Sequence, residues 1–167
     1  MENIETQRLI LEKVELTDAN FIYELVNSPS WLTYIGDKEI KSLEDAREYI
    51  RERLISSYDT YGHGLLKISL KPDGTAIGLC GFLKRGYLDH VDLGFALLPS
   101  YEGKGYAFEA ASGVLDYGKS SLALKKIVAI CMETNSRSIQ LLTKLGFTEV
   151  DTIQPNNDGI EVLLFSN

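Results

Sequence analysis

The chain has 167 residues, 44% of them hydrophobic and 25% charged, and a formal net charge of −7 at pH 7. That composition predicts one globular domain over residues 1–167, able to bury its own core, and the acidity excludes the dense Lys and Arg surface that nonspecific nucleic-acid binding requires. No run approaches the ~20 apolar residues of a membrane span, and the opening MENIETQRLILEK lacks the apolar core of a secretory signal, so the expectation is a cytoplasmic protein with no membrane partner.

Arg8 to Val14 is predicted as the first strand. Thr17 is the predicted N-cap of a helix whose apolar face is Phe21, Ile22, Leu25 and Val26, with Pro29 ending it. Ser42 and Asp45 have the spacing of a capping box, and Leu43, Ala46, Ile50 and Leu54 recur at helical spacing behind them. Leu65 to Lys71 and Thr75 to Leu83 are apolar, partly alternating runs joined by Pro72, Asp73 and Gly74, which predicts a hairpin. Val91 to Leu98 is a further strand, where Gly94 marks a bulge or a place of close ligand approach.

From Tyr106 the period changes: Ala107, Ala110, Ala111, Val114 and Leu115 make one helical stripe that ends near Gly118. Ile127 to Met132 then reads as a buried strand, Asn135 to Leu145 as a helix, and Gly146 as its left-handed cap. Strands from Phe147 to Ile153 and Ile160 to Phe165 complete a mixed sheet with helices against it, an α+β fold (α/β by looser naming). Cys80 and Cys131 each lie in an apolar run without nearby His partners, which favours buried free thiols over a disulfide or metal site. His63 and His90 have no partner spacing for metal or triad chemistry, so no metal is expected.

The stretch LLPSYEGKGYAFEAA places a glycine turn between the strand and the helix. A Walker loop needs Ser or Thr directly after its lysine, and a dinucleotide fingerprint needs a third glycine where Phe108 stands, so neither motif is present. Gly103, Lys104, Gly105, Tyr106 and Ala107 can still point successive N–H groups outward at the positive end of a helix dipole, as a diphosphate requires. A plain tight turn opening a helix remains the alternative.

Three segments together, ETQRLILEKVELTDA, VDLGFALLPSYEGKGYAFEAA and ETNSRSIQLLTKLGF, resemble the GNAT N-acetyltransferases, in the branch of the RimJ and RimL ribosomal-protein N-terminal acetyltransferases. Against the superfamily pattern Q/R-x-x-G-x-G/A the sequence has Ser100 at the first place, then Gly103 and Gly105 in register. The resemblance implies a mixed, mostly antiparallel twisted sheet with a splayed, bulged strand and flanking helices. It implies acetyl-CoA as cosubstrate, with Leu97 and Leu98 offering backbone groups to the pantetheine arm and Gly103 to Ala107 holding the diphosphate. Asn135 and Ser138 match an N-x-x-S placed near the thiol end, although an N-cap and a first-turn serine are equally good local readings.

Amide formation needs a neutral amine and a proton for the leaving thiolate. By the same resemblance Asp92, two residues before Gly94, is the base, a water relay or the binder of the ammonium group. Leu142 stands where the superfamily often has an acidic tyrosine, which leaves Ser138 as the substitute and keeps open a silent acyl-CoA-binding or partner-binding module. Glu133 is a further candidate acid, whereas Glu109 is expected to satisfy helix-start N–H groups. Trp31, Tyr34 and Phe82 are candidates for an acceptor pocket or for the core. The expected acceptor is a peptide N-terminus or a small cationic amine, attacked directly, and the expected state is monomer or homodimer.

Overall fold

The computed structural model describes residues 2–167. Its sheet has eight strands: β1 (Ile4–Glu5), β2 (Leu9–Lys13), β3 (Leu65–Leu70), β4 (Ala76–Leu83), β5 (Val91–Leu97), β6 (Ile127–Cys131), β7 (Thr148–Ile153) and β8 (Val162–Ser166). Their spatial order is β1-β2-β3-β4-β5-β6-β8-β7, and every pairing is antiparallel except β5 with β6. The parallel pair is joined by a crossover helix, α5 (Tyr106–Ser120), as parallel neighbours require.

The N-terminal helices depart from the sequence reading in instructive ways. Thr17 does not cap a helix: Glu15 N–H donates to Asp18 Oδ2 at 2.8 Å around a short turn, and α1 (Ala19–Val26) starts after it. Pro29 ends α1 and also opens a further helix, α2 (Pro29–Tyr34), because a first-turn proline gives up no hydrogen bond. Ser42 caps α3 (Leu43–Tyr49) through Asp45 N–H at 3.1 Å, while the Asp45 carboxylate reaches back to Lys41 N–H at 2.9 Å. A wider π turn at Ile50–Ile55 carries the chain into α4 (Ser56–Tyr61). Strand β1, only a residue pair long, has no periodicity from which to predict it.

Alternation along β4 and β5 sorts their side chains to two faces. Phe82, opposite Leu93, points to α5, where its ring lies against Gly118; that contact explains why the helix continues through the glycine to Ser120. Asp92 and Gly94 point to the other face, which α1 approaches through Asp18 bonded to Lys67 of β3 at 2.9 Å. The core fills both faces, with Leu9, Leu11, Leu79, Leu93, Ala110 and Ile127 essentially inaccessible. Gly94 pairs with Gly81 in unbroken register, so the bulge expected there is absent from the β4–β5 ladder. A Cβ on Gly94 would come within 2.8 Å of Leu83 Cδ1, so packing explains that glycine. Among the described residues no helix is long and apolar enough to cross a membrane.

Candidate active site

Strands β5 and β6 pair only at Val91 with Ile127 and Asp92 with Val128. Beyond that point Leu93 to Leu97 and Ala129 to Cys131 no longer bond to each other, and the two edges open into a V with Asp92 at its vertex. Leu98 N–H donates to Ile77 O at 2.8 Å, which makes the neighbouring Leu97–Gly78 pair non-hydrogen-bonded and turns the Leu97 N–H and C=O away from β4 toward the V. Leu98 itself is engaged on both sides, since its carbonyl accepts from Tyr101 N–H at 3.0 Å. Of the two leucines expected to meet the pantetheine arm, Leu97 therefore has the free backbone.

The glycine turn stands at the open end of the V. Gly103 and Gly105 have φ of +74° and +80°, the left-handed region that favours glycine, and Gly105 is the N-cap of α5 without any side-chain capping bond. Among the described residues the N–H groups of residues 103–107 find no acceptor outside helical bonding, so they face outward from the positive end of the helix. Other elements hold the turn in place. Glu102 accepts from Ser30 Oγ of α2 at 3.1 Å and from Arg137 Nη1 of α6 (Ser136–Lys144) at 2.7 Å. Arg8 Nη1 donates to Lys104 O at 3.0 Å.

Glu109 does not serve the helix start. It accepts from Thr6 Oγ1 at 2.6 Å, Arg8 N–H at 2.7 Å and Arg8 Nε at 2.6 Å, tying the segment before β2 to α5.

At the vertex Asp92 is 1% exposed. Its Oδ2 accepts from Arg85 Nε at 2.5 Å, while Oδ1 is buried with no hydrogen-bond partner; Ile130 N–H faces the carboxylate without reaching hydrogen-bonding geometry. Burial pushes the Asp92 pKa up to about 6, and Arg85 only partly opposes the rise. Lys38, in the loop after α2, has its pKa lowered first by desolvation and then by the charges of Arg85 and Arg53, so three cations from separate segments lie within electrostatic reach of one another, and of these Arg85 is the one that pairs the carboxylate. The hydroxyl of Tyr49, raised by burial, feels Arg53 and Arg85 as well. Arg85, Lys38 and Arg53 carried no sequence signal, because they converge from a loop, a hairpin connection and a helical π turn.

The other sequence candidates fall in several places. Asn135 is the N-cap of α6, accepting from Ser138 N–H at 3.2 Å, and the half-buried Ser138 hydroxyl makes no bond to the described residues. Leu142 is buried on the core side of that helix. Glu133 is exposed and lines a small hollow of about 190 Å³ with Glu149, Thr152 and Glu161. Trp31 and Phe82, 4% and 2% exposed, lie in the core, and Phe82 faces α5 on the side of the sheet opposite Asp92. Tyr34 is half-buried at the end of α2. Cys80 is buried and Cys131 half-buried, both unpaired, and His63 is buried between Tyr61 and Phe82. Among the described residues no cluster of His, Cys, Asp or Glu has metal-binding geometry.

Residues 8–148 match the acetyltransferase (GNAT) domain family. The chain belongs to the GNAT acetyltransferase family. It is 30% identical to an uncharacterized N-acetyltransferase, p20, of Bacillus licheniformis over 99% of this chain and 96% of that protein. It is 26% identical to the spermidine N(1)-acetyltransferase of Escherichia coli K12, over 83% of this chain and 72% of that one. The fold superposes on RimL, a ribosomal L7/L12 α-N-protein acetyltransferase solved in complex with coenzyme A, with a TM-score of 0.84 at 16% identity, covering 99% of this chain and 97% of that one.

GNAT enzymes transfer an acetyl group from acetyl-CoA, and the protein is an N-acetyltransferase. The residues fit that donor: outward amides at residues 103–107, a free strand edge at Leu97 and a V-shaped gap between β5 and β6.

Proposed function

We propose that this GNAT enzyme acetylates a primary amine by direct attack, with the donor's diphosphate on residues 103–107, its pantetheine arm along Leu97, and Asp92 as the group that takes the amine's proton. The donor supplies an acetyl carbon activated as a thioester. The chain must then deprotonate an ammonium group. The observation that carries this reading is Asp92 itself, a buried carboxylate at the vertex of the V with an unpartnered Oδ1 and a pKa of about 6. A base poised near neutrality suits proton removal at physiological pH, and Arg85 on Oδ2 keeps the carboxylate oriented.

Cysteine relay chemistry is disfavoured by the thiols. Burial pushes Cys131 up to about 11, with Glu149 adding to the rise, and Cys80 is raised further by burial, so neither supplies a thiolate. The Ser138 hydroxyl, free of other bonds, is the proposed proton source for the leaving thiol, with Asn135 fixing its turn through Ser138 N–H.

The net charge of −7 favours cationic acceptors in general, but the cations gathered around Arg85, the partner of Asp92, point elsewhere. Lys38, Arg53 and Arg85 oppose a polyamine, whose remaining nitrogens are all cations, and accommodate a peptide N-terminus followed by neutral or acidic residues. The acceptor proposed is therefore a peptide N-terminus. The test is release of free CoA from acetyl-CoA by the purified protein with peptides beginning Ser, Ala or Thr and, separately, with spermidine. Faster turnover of peptides, by about tenfold or more in kcat/KM, is expected for a site disfavouring added positive charge by about 1.4 kcal/mol. Equal or greater activity on spermidine removes the peptide assignment, and no release with any amine removes the catalytic reading of Asp92.

A further inference from the structure

Arg8 lies 96 residues before Lys104, yet its guanidinium is part of the wall of the glycine turn. Its Nε donates to Glu109 Oε2 at 2.6 Å, its Nη1 to Lys104 O at 3.0 Å, and its plane lies 4.4 Å from the centre of the Tyr106 ring. Glu109 is held in turn by Thr6 Oγ1 at 2.6 Å and Arg8 N–H at 2.7 Å. The guanidinium is thus fixed on two edges and one face, as a planar fork can be and an ammonium cannot.

Nη2 is the exception. It makes no hydrogen bond to the described residues, and it lies 3.4 Å from the position a Cβ on Gly105 would take. A brace between two segments needs only the Nε and Nη1 contacts. Leaving Nη2 free beside amides that are also free brings backbone and charged donors to one mouth, together with the exposed Lys104 ammonium. Glu109 offsets the charge of Arg8 at the helix N-terminus, where a bare cation opposes the dipole. The Arg8 side chain is 42% exposed, so its outer edge is open to a ligand.

We propose that Arg8 is a binding residue for the donor's diphosphate, its Nη2 donating to a phosphate oxygen from the rim of the turn, with Glu109 and Tyr106 as the positioning residues that aim it. The proposal rests on residues 103–107 being the diphosphate cradle. It adds a charged donor from the N-terminal segment, held in a fixed orientation, to a site otherwise made of backbone and the Lys104 ammonium.

The experiment is calorimetric titration of the purified protein with CoA and with dephospho-CoA, which lacks only the 3′-phosphate, and competition against CoA for pantetheine, which lacks the diphosphate and the whole nucleotide beyond it. Arg8→Ala is expected to weaken CoA and dephospho-CoA alike by about ten- to hundredfold, the range for a charge-assisted hydrogen bond, and to leave pantetheine unchanged. Glu109→Gln, which keeps the cation and loosens its aim, is expected to give the same pattern with a smaller loss. If Arg8→Ala does not fold, Arg8→Lys is read on the same ligands, since it keeps the charge without the fork.

Wild-type affinity for dephospho-CoA in a folded Arg8→Ala protein overturns the proposal. An equal loss on all three ligands overturns it too, because Arg8 is then a brace for the sheet. Wild-type protein that binds pantetheine as tightly as dephospho-CoA overturns the assignment of the turn itself.

Discussion

The two ends of the V-shaped cleft are built on opposite principles. At the open end the groups proposed to work are backbone amides, Gly103, Lys104 and Gly105 are all exposed, and the geometry is held by polar ties from α2, α6 and the segment before β2. At the vertex the group proposed to work is one side chain, Asp92, which is 1% exposed and has a pKa governed by desolvation. The open end therefore depends first on backbone that glycine adopts at Gly103 and Gly105, with side chains such as Arg8 adding to it from the rim. The vertex tolerates little change in the side chain and owes nothing to an unusual φ.

The largest effect expected is at the vertex. Asp92→Asn keeps the shape and removes the proton acceptor, so kcat should fall by about 10² to 10⁴ while the KM for acetyl-CoA stays within about twofold. With Asp92 as the base, the ionised carboxylate would be the active form, so kcat/KM should rise as pH increases through about 6, and the variant should lack that limb. Steady-state rates from pH 5 to 8 check both expectations.

Stability follows the same shift with its own sign. A carboxyl whose folded pKa of about 6 exceeds its ordinary 3.8 favours the folded state when protonated, so that contribution is full below 3.8 and is lost as pH rises through about 6.

The reverse experiment at the open end is Gly105→Val. A β-branched side chain at φ +80° is strained, and its Cβ would meet Arg8 Nη2 at 3.4 Å. With strain of about 1–3 kcal/mol in a chain of this size, Tm should drop by about 2–12 °C. KM for acetyl-CoA should rise about tenfold or more, with kcat changed less. A folded variant with unchanged KM would make the turn simple punctuation before α5.

The contrast also explains what the sequence could show. The open end was legible because its signal is local: glycine needs, helix start and strand end all fall between Leu97 and Ala111. The hairpin of β3 and β4 was legible for the same reason, with a turn tripeptide between two apolar runs. Near the vertex Asp92 was singled out only through the family resemblance, and its partner Arg85 not at all, since nothing in a hairpin loop reveals which buried group it will pair with. For the aromatics the sequence left pocket and core both open, and burial puts Trp31 and Phe82 in the core, because large rings bury as readily in a core as in a pocket. Glu109 misled as well. Its spacing fits a helix start, while its carboxylate serves Thr6 and Arg8, roughly a hundred residues away by the span of those contacts, 103 and 101.

Helix α6 offers the smallest and most diagnostic test, because there the capping and catalytic readings of N-x-x-S can be separated. Asn135 caps the helix through Ser138 N–H, a bond that uses the serine's backbone and not its hydroxyl. Asn135→Ala should therefore cost about 1 kcal/mol and lower Tm by about 2–4 °C. Ser138→Ala keeps the cap, so its Tm should match the wild type. If the Ser138 hydroxyl gives its proton to the leaving thiol, Ser138→Ala should lower kcat severalfold to about tenfold with the acetyl-CoA KM unaltered, a modest loss because water can substitute. Thermal melts and steady-state kinetics on the two variants decide it. A Ser138→Ala enzyme with wild-type kcat removes the hydroxyl from the mechanism, and an Asn135→Ala loss confined to Tm assigns that residue to the helix alone.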